Sequence, residues 1–362
     1  MLYLVDLEPV DTRYTSQWRK YLPDQFANAG ISTTVISGGT VAQTVTPGAF
    51  LNFSATNSYK SEQLKRISFL FQTGEIKDGD YFLYTDAWNP TVIQLKYMAE
   101  LLGIKIKIGG MWHAGSYDPQ DFLGRLIGDV PWVRNAESAM FHCYDHNFFA
   151  TEFHLKMFLK ELFDETDIAK WKEYYPGTLV VGWPMEYMYE LLAPYMVIPK
   201  KDRVIFPHRL APEKQPEIFE DLALNMPDVE FFFAQKQRLT KNEYHRHLAS
   251  SKIVFSANLQ ETLGISVYEG ASMGVFPLMP DRLSYSEMWP KSSLYPSLWT
   301  KDFDSYQRHK KKLIKVIRGI LDAYSEENMT KMIYECRVIS EKVGEKYFNG
   351  SALYKTIIDS QI

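Results

Sequence analysis

The feature that most constrains how this chain can fold is a regular alternation of short apolar runs with amphipathic stretches. "LYLVDL" is followed by a polar turn, then by "TSQWRKYLPDQFANAG", which reads as a helix ending at Gly30, then by the strand "STTVISG". After a loop around Pro47, "SEQLKRISFLFQTG" reads as a helix, "DYFLYTD" as a strand, "PTVIQLKYMAELLG" as a helix closed by Gly103, and "KIKIGGMW" as another strand. "SAMFHCYD" followed by "ATEFHLKMFLKELF" repeats the strand and helix once more. Such alternation predicts an α/β protein with parallel, doubly wound sheets, whose ligand loops lie at the C-terminal ends of the strands.

With 362 residues the chain exceeds what one core usually supports, so two domains with a cleft between them are expected. The boundary is expected near "YYPGTLVVGWPME", where a short strand runs into Gly182, Trp183 and Pro184. The alternation then restarts with "RVIFPHRL", a helix from about Pro216 to Asn225, "VEFFFA", a helix around "KNEYHRHLASS", "KIVFSA", a helix within "ETLGISVYEGASMG", and "VFPLMPD". Beyond residue 300 the chain turns helical and charged. The expected division is two Rossmann-like domains, 1–180 and 181–345, with 346–362 a terminal helix returning to the first.

Hydrophobic residues at 46% and charged residues at 23% fit a folded globular chain and exclude extensive disorder. Cys143 and Cys336 stand far apart, which supports neither a disulfide framework nor a thiolate zinc site. "MLYLVDLEPV" has no basic leader, and no long apolar run follows, so a cytoplasmic protein without stable membrane insertion is expected. A net charge of −4 means that any polyanion would be met by a local basic patch.

Chemistry is expected at strand ends of the second domain. "PHRLAPEK" follows the strand "RVIF" and brings Arg209 and Lys214 into a loop before a helix. "ANLQETLG" follows "KIVFS" and presents Glu261, Thr262, Leu263 and Gly264 where the next helix begins. A helix start exposes unpaired N–H donors, and glycine lets a phosphate approach the backbone closely. A cationic pair from one loop and a helix N-terminus from the next would grip a diphosphate from two sides. Glu269, further along that helix, could accept both hydroxyls of a ribose; the bland alternative is a solvated helix acid, as a solvated loop is for Arg209 and Lys214.

"PHRLAPEKQPE" and "QETLGISVYEGASMGVFPLMPD", with their separation, resemble the C-terminal domain of retaining glycosyltransferases of the family 4 (group 1) type, which share the GT-B fold. That resemblance, over about residues 180–350, implies two Rossmann-like domains facing across a cleft with C-terminal helices crossing back. It assigns Arg209 and Lys214 to the donor diphosphate, and maps the family's two glutamates separated by seven residues onto Glu261, near the transferred sugar, and Glu269, on the donor ribose. The implied co-substrate is a nucleotide-diphosphate sugar, a UDP-sugar by preference, with no cofactor, no metal and retention of configuration. The chain departs from the family in having Pro207 and His208 before Arg209, and Thr262 and Leu263 before Gly264.

In the first domain, "GGMWHAG" ends a strand at His113; many members of the resembling family carry a histidine at such a strand end close to the donor sugar, which implies a catalytic-cleft role for His113, the alternative being a loop histidine satisfied by backbone. Asp86 in "YTDAW" could orient an acceptor hydroxyl or cap the helix after Pro90, and Glu8, Arg13 and Tyr14 are further acceptor-side candidates. His142, His146 and His154 have no carboxylate cluster to make them a metal site, and His245 and His247 of "YHRH" read as surface residues. The segment "EPVDTRYTSQW" is similar to the start of bacteriophage glycosyltransferases, some of which modify hydroxymethylated pyrimidines in DNA. This resemblance implies modified double-stranded DNA as the acceptor and the host cytoplasm as the location, with Lys96, Lys105, Lys107, Arg125 and Arg134 as a phosphate-contacting rim or a plain solvated surface. A lipid or polysaccharide acceptor, and a non-catalytic nucleotide-sugar-binding protein, are the alternatives.

Overall fold

A computed structural model describes residues 1–10, 13–41 and 51–361; Pro47, with the loop expected around it, and Asp11 and Thr12 lie outside the described residues. The chain divides into two compact units, Met1–Met185 with Asn349–Ile362, and Glu186–Phe348. The divisions thus follow Met185 and Phe348, where the sequence suggested 180 and 345.

The first unit begins β1 (Leu2–Val5), α1 (Tyr14–Asn28), β2 (Thr33–Ile36), α2 (Phe53–Gln72), β3 (Tyr81–Tyr84), α3 (Thr91–Leu102) and β4 (Lys107–Trp112). It continues with α4 (Phe122–Ile127), α5 (Pro131–Cys143), β5 (His146–Phe149), α6 (Glu152–Phe163), α7 (Ile168–Tyr174) and β6 (Thr178–Val180). Among the described residues these strands form a six-stranded sheet in the order β2-β1-β3-β4-β5-β6, parallel throughout. "LYLV" and "YFLY" are buried along their whole length, as central parallel strands covered on both faces must be. Gly103 closes α3 in the left-handed conformation, and the Thr151 side chain caps α6 by accepting from the His154 N–H.

One expected strand is a helix. "SAMFHCYD" forms the end of α5 and the turn after it, and β5 starts only at His146. Pro131 opens α5, and Val133, Glu137, Met140 and Phe141 are its buried face, a spacing that belongs to a helix rather than a strand.

The second unit runs α8 (Met188–Leu192), β7 (Arg203–Phe206), α9 (Pro216–Asn225), β8 (Glu230–Phe233), α10 (Lys241–Ser250), β9 (Ile253–Phe255) and α11 (Ile265–Ser272). It ends with β10 (Phe276–Pro280), α12 (Leu283–Met288), β11 (Leu294–Tyr295), α13 (Phe303–Ala323) and α14 (Met329–Tyr347). Its described sheet is five-stranded in the order β11-β10-β9-β7-β8, again parallel. A reciprocal capping box between Thr240 and Glu243 starts α10. Gly270 lets α11 lie against β9, since a Cβ there would stand 3.0 Å from Val254 Cγ1. The last helix, α15 (Ser351–Ser360), belongs to the first unit, where Tyr354 packs edge-on against Phe26 with ring centroids 5.2 Å apart.

Candidate functional site

In an open parallel sheet the ligand crevice lies where strand order reverses, outside the carboxyl ends of the two strands that flank the reversal. In the first unit that point falls between β1 and β3; in the second it falls between β7 and β9. The loops after these four strands carry most of the residues singled out from sequence.

In the second unit the loop after β7 presents His208 and Arg209 and reaches Lys214, while the loop after β9 presents Asn258 and Glu261 before α11. The two loops are tied together where the Leu259 N–H donates to the Glu213 carbonyl at 2.7 Å. Arg209 Nη2 donates to Glu213 Oε1 at 2.6 Å, and Glu213 is wholly buried, so the guanidinium is held from behind. Lys214 Nζ donates to the Gln260 carbonyl at 2.5 Å and lies 3.6 Å from Glu261 Oε2. Burial alone would raise the Glu261 pKa, but Lys214, His208 and the N–H groups of Leu263 and Gly264 hold it below the usual carboxylate value. Gly264 has φ 82°, the left-handed conformation that turns the loop into α11 and sets the helix start between the two loops. Thr262 donates its N–H to Glu261 Oε1 at 3.2 Å, and Leu263 is buried beneath the turn.

Glu269 faces away from solvent, 2% exposed, and toward α10. It accepts from Lys241 Nζ at 2.9 Å, Tyr244 Oη at 3.0 Å and His245 Nε2 at 3.2 Å. Burial opposes its charge, yet these partners pull its pKa down to about 2. The expectation that His245 sits on the surface is therefore corrected: at 1% exposed it is part of this buried cluster, because the face of α10 bearing Lys241, Tyr244 and His245 packs toward α11. His247, by contrast, stacks on Phe232 at a centroid distance of 4.2 Å.

In the first unit, Glu8, Arg13, Tyr14, Asp86 and His113 line one cavity of about 540 Å³. They come from the loops after β1, β3 and β4 and from the start of α1. Glu8 is buried and accepts from the Thr56 hydroxyl; desolvation raises its pKa against the pull of that bond, Lys60 and Arg13. Asp86 Oδ1 accepts from the Trp88 N–H at 3.1 Å and does not cap α3, whose N-cap is Pro90; Asn89 just before it accepts from the Thr91 N–H at 3.2 Å. His113 Nε2 donates to the Thr85 carbonyl at 2.7 Å, so Nδ1 accepts from Tyr14 Oη at 3.2 Å. Trp18 and Trp183 flank the ring at 5.4 and 5.2 Å, and burial lowers its pKa, which makes it a neutral imidazole.

The cavity also holds residues the sequence reading passed over. Lys60 of α2 is buried and donates to the Trp88 carbonyl at 2.7 Å; Trp88 Nε1 in turn donates to Glu137 Oε1 at 2.7 Å. Phe53 and Phe122 stack at 5.6 Å, and Trp132 stands 58% exposed among the lining residues. Nothing in "DVPWVRN" or "NSYKSEQ" marks these side chains as lining a cavity, since their local pattern is the same as that of a core or surface helix. Lys96, Lys105, Lys107, Arg125 and Arg134 are not in the lining, and Arg134 is paired with Asp129. His146 and His154 meet Tyr81 and Tyr117 hydroxyls, and among the described residues no cluster of three His, Cys, Asp or Glu side chains could hold a metal ion.

The fold finds counterparts among solved structures. The catalytic domain of starch synthase IV from Arabidopsis thaliana, bound to ADP and acarbose, superposes with a TM-score of 0.59 at 10% identity, covering 99% of this chain and 98% of that one. Sucrose-phosphate synthase from Thermosynechococcus elongatus gives 0.58 at 11%, with 99% of both chains covered. The pneumococcal O-GlcNAc transferase GtfA, in complex with UDP and GlcNAc, gives 0.50 at 12%, covering 86% of this chain and 61% of that one. These neighbours are GT-B glycosyltransferases, and the present chain has the GT-B fold. No family model matches it. In sequence, 57 residues are 37% identical to the tRNA-queuosine alpha-mannosyltransferase of Drosophila melanogaster, a match spanning 16% of this chain and 15% of that protein.

Proposed function

We propose that this chain is a glycosyltransferase that moves a sugar from a nucleotide-diphosphate donor, a UDP-sugar, to a hydroxyl acceptor. The observation that carries the reading is the convergence of Arg209, Lys214, Glu261 and the Gly264 start of α11 at the reversal point of the second unit's sheet. Two cations and a helix N-terminus supply positive charge where a diphosphate leaving group develops negative charge, without reorganisation at the moment of reaction. Arg209 and Lys214 then exchange protein oxygens for phosphate oxygens. Glu261 lies by the transferred sugar, whereas Glu269, 2% exposed and held by Lys241, Tyr244 and His245, braces α11 behind the site, so the ribose contact expected of it is not proposed. The route retains configuration, as the resemblance to the family 4 type implies, and needs no metal, because these groups already carry the positive charge that a metal would bring. A nucleotide stands in two of the GT-B structures, as ADP in the starch synthase and as UDP in GtfA, which supports the same chemistry here.

The acceptor is a hydroxyl on a base of nucleic acid, bound in the first unit's cavity, with a hydroxymethylated pyrimidine of bacteriophage DNA as the first choice. Aromatic rings at Trp88, Trp132, Phe53 and Phe122 suit a planar ring turned out of its stack, and Glu8 and Asp86 suit its hydroxyl. A hydroxyl on a tRNA base is favoured by the match to a protein named for mannosyl transfer on tRNA-queuosine. The deciding experiment offers a panel of nucleotide sugars with hydroxymethylated duplex DNA, tRNA or lipid extract, and reads acceptor mass. Sugar should appear on DNA or RNA and depend on Lys214, at least about a hundredfold slower in Lys214→Ala; mass gain on lipid alone would refute the acceptor reading, and an unchanged rate in Lys214→Ala would refute the site.

A further inference from the structure

Past β7 and β9 the second unit holds two buried hydrogen-bond acceptors that no described residue satisfies. His208, just past β7, is 6% exposed and packs edge-on to Phe206 at 5.2 Å. Its ring bonds to the Phe255 main chain, and its Nε2 is buried without a partner. Asn258, just past β9, is fully buried; its Nδ2 donates to Glu261 Oε2 at 3.3 Å and to Tyr285 Oη at 3.0 Å, while its Oδ1 has no partner. Because Glu261 is a carboxylate that only accepts, the amide is assigned with Nδ2 toward it, which leaves Oδ1 as the orphan.

An orphan acceptor in a buried site costs stability unless a ligand supplies the missing donor. Burial and the neighbouring Lys214 keep His208 uncharged, so its Nε2 offers a lone pair. A phosphate oxygen also offers only lone pairs and is repelled there. What fits Nε2 and Oδ1 is O–H, and the phosphates belong instead to Arg209, Lys214 and the α11 start. We propose that His208 and Asn258, together with Glu261, recognise hydroxyl groups of the sugar carried by the donor. This rests on the nucleotide-sugar reading and extends it to two residues of no assigned role.

The test is calorimetric. Dissociation constants of UDP, UDP-glucose, ADP, ADP-glucose, GDP and GDP-mannose are measured for the wild type, His208→Phe, His208→Gln and Asn258→Ala, each checked for folding by circular dichroism. The nucleotide that binds the wild type should bind tighter as its sugar derivative. In His208→Phe and Asn258→Ala that preference should fall about tenfold or more, with affinity for the bare diphosphate changed less than about twofold. His208→Gln, which restores an acceptor, should recover part of it. Equal losses for diphosphate and nucleotide sugar would overturn the proposal, as would proton uptake on binding that disappears in His208→Phe, since that would make His208 a phosphate-binding cation. If the wild type binds no member of the panel, the nucleotide-sugar reading itself falls and takes this inference with it.

Discussion

Replacing Glu269 by glutamine tests whether the α10 and α11 cluster is held by charge. In an open chain the carboxylate titrates at 4.5, and in the folded unit at about 2. At about 1.4 kcal/mol per tenfold change, this difference contributes roughly 3 kcal/mol of stability at pH 7. The folded pKa is depressed, so the contribution is present above the unfolded value and fades as pH falls toward the folded one. By the same relation most of it remains at pH 4.5 and less than half at pH 3. Glutamine cannot titrate and leaves Lys241 without its counter-charge, so wild type and variant should differ by about 3 kcal/mol at neutral pH and converge on acidification. Pulsed hydrogen exchange in increasing urea, read on peptides of α10 and α11, separates this unit from the other. A gap that is absent at pH 7, or constant between pH 7 and pH 3, would refute the reasoning.

Gly264→Ala should cost about 1–3 kcal/mol, because the residue sits at φ 82° and a Cβ would stand 2.9 Å from the Tyr285 ring; loss of UDP affinity should accompany the lower melting temperature, and an unchanged Kd would separate the turn from the donor site. His113 is a neutral imidazole already engaged through both nitrogens, so kcat should show no His113-dependent inflection near pH 6.5; an inflection there that vanishes in His113→Gln would show that it exchanges protons.

Much of the architecture could be read before any coordinates. Strands such as "LYLV" and "RVIF" are too apolar for an edge or a loop, and the turns between them carry Gly, Pro and Asn where the chain must reverse. The reading failed at "SAMFHCYD", where a short apolar run looks alike in a strand and on the buried face of a helix, and only Pro131, twelve residues before Cys143, marks the helix start. In the second unit, Arg209, Lys214, Glu261 and Gly264 stand at strand ends where their loops could be predicted. Lys60, Trp88, Glu137 and Trp132 could not be found in the same way, since nothing in their local pattern distinguishes a side chain lining a cavity from one filling a core.

Sequence alone determined the parallel α/β class and the pairing of a cationic loop with a glycine-started helix, because both depend on local periodicity and on residues a few positions apart. Tertiary structure decided which groups are already taken: Glu269 by Lys241, Tyr244 and His245, and His113 by Tyr14 and Thr85. It also decided that Glu8, Arg13, Asp86 and His113 share one cavity, and that His208 and Asn258 keep unpaired acceptors. Those outcomes depend on strand order and burial, which join residues distant along the chain and set the cost of leaving a polar atom unpaired.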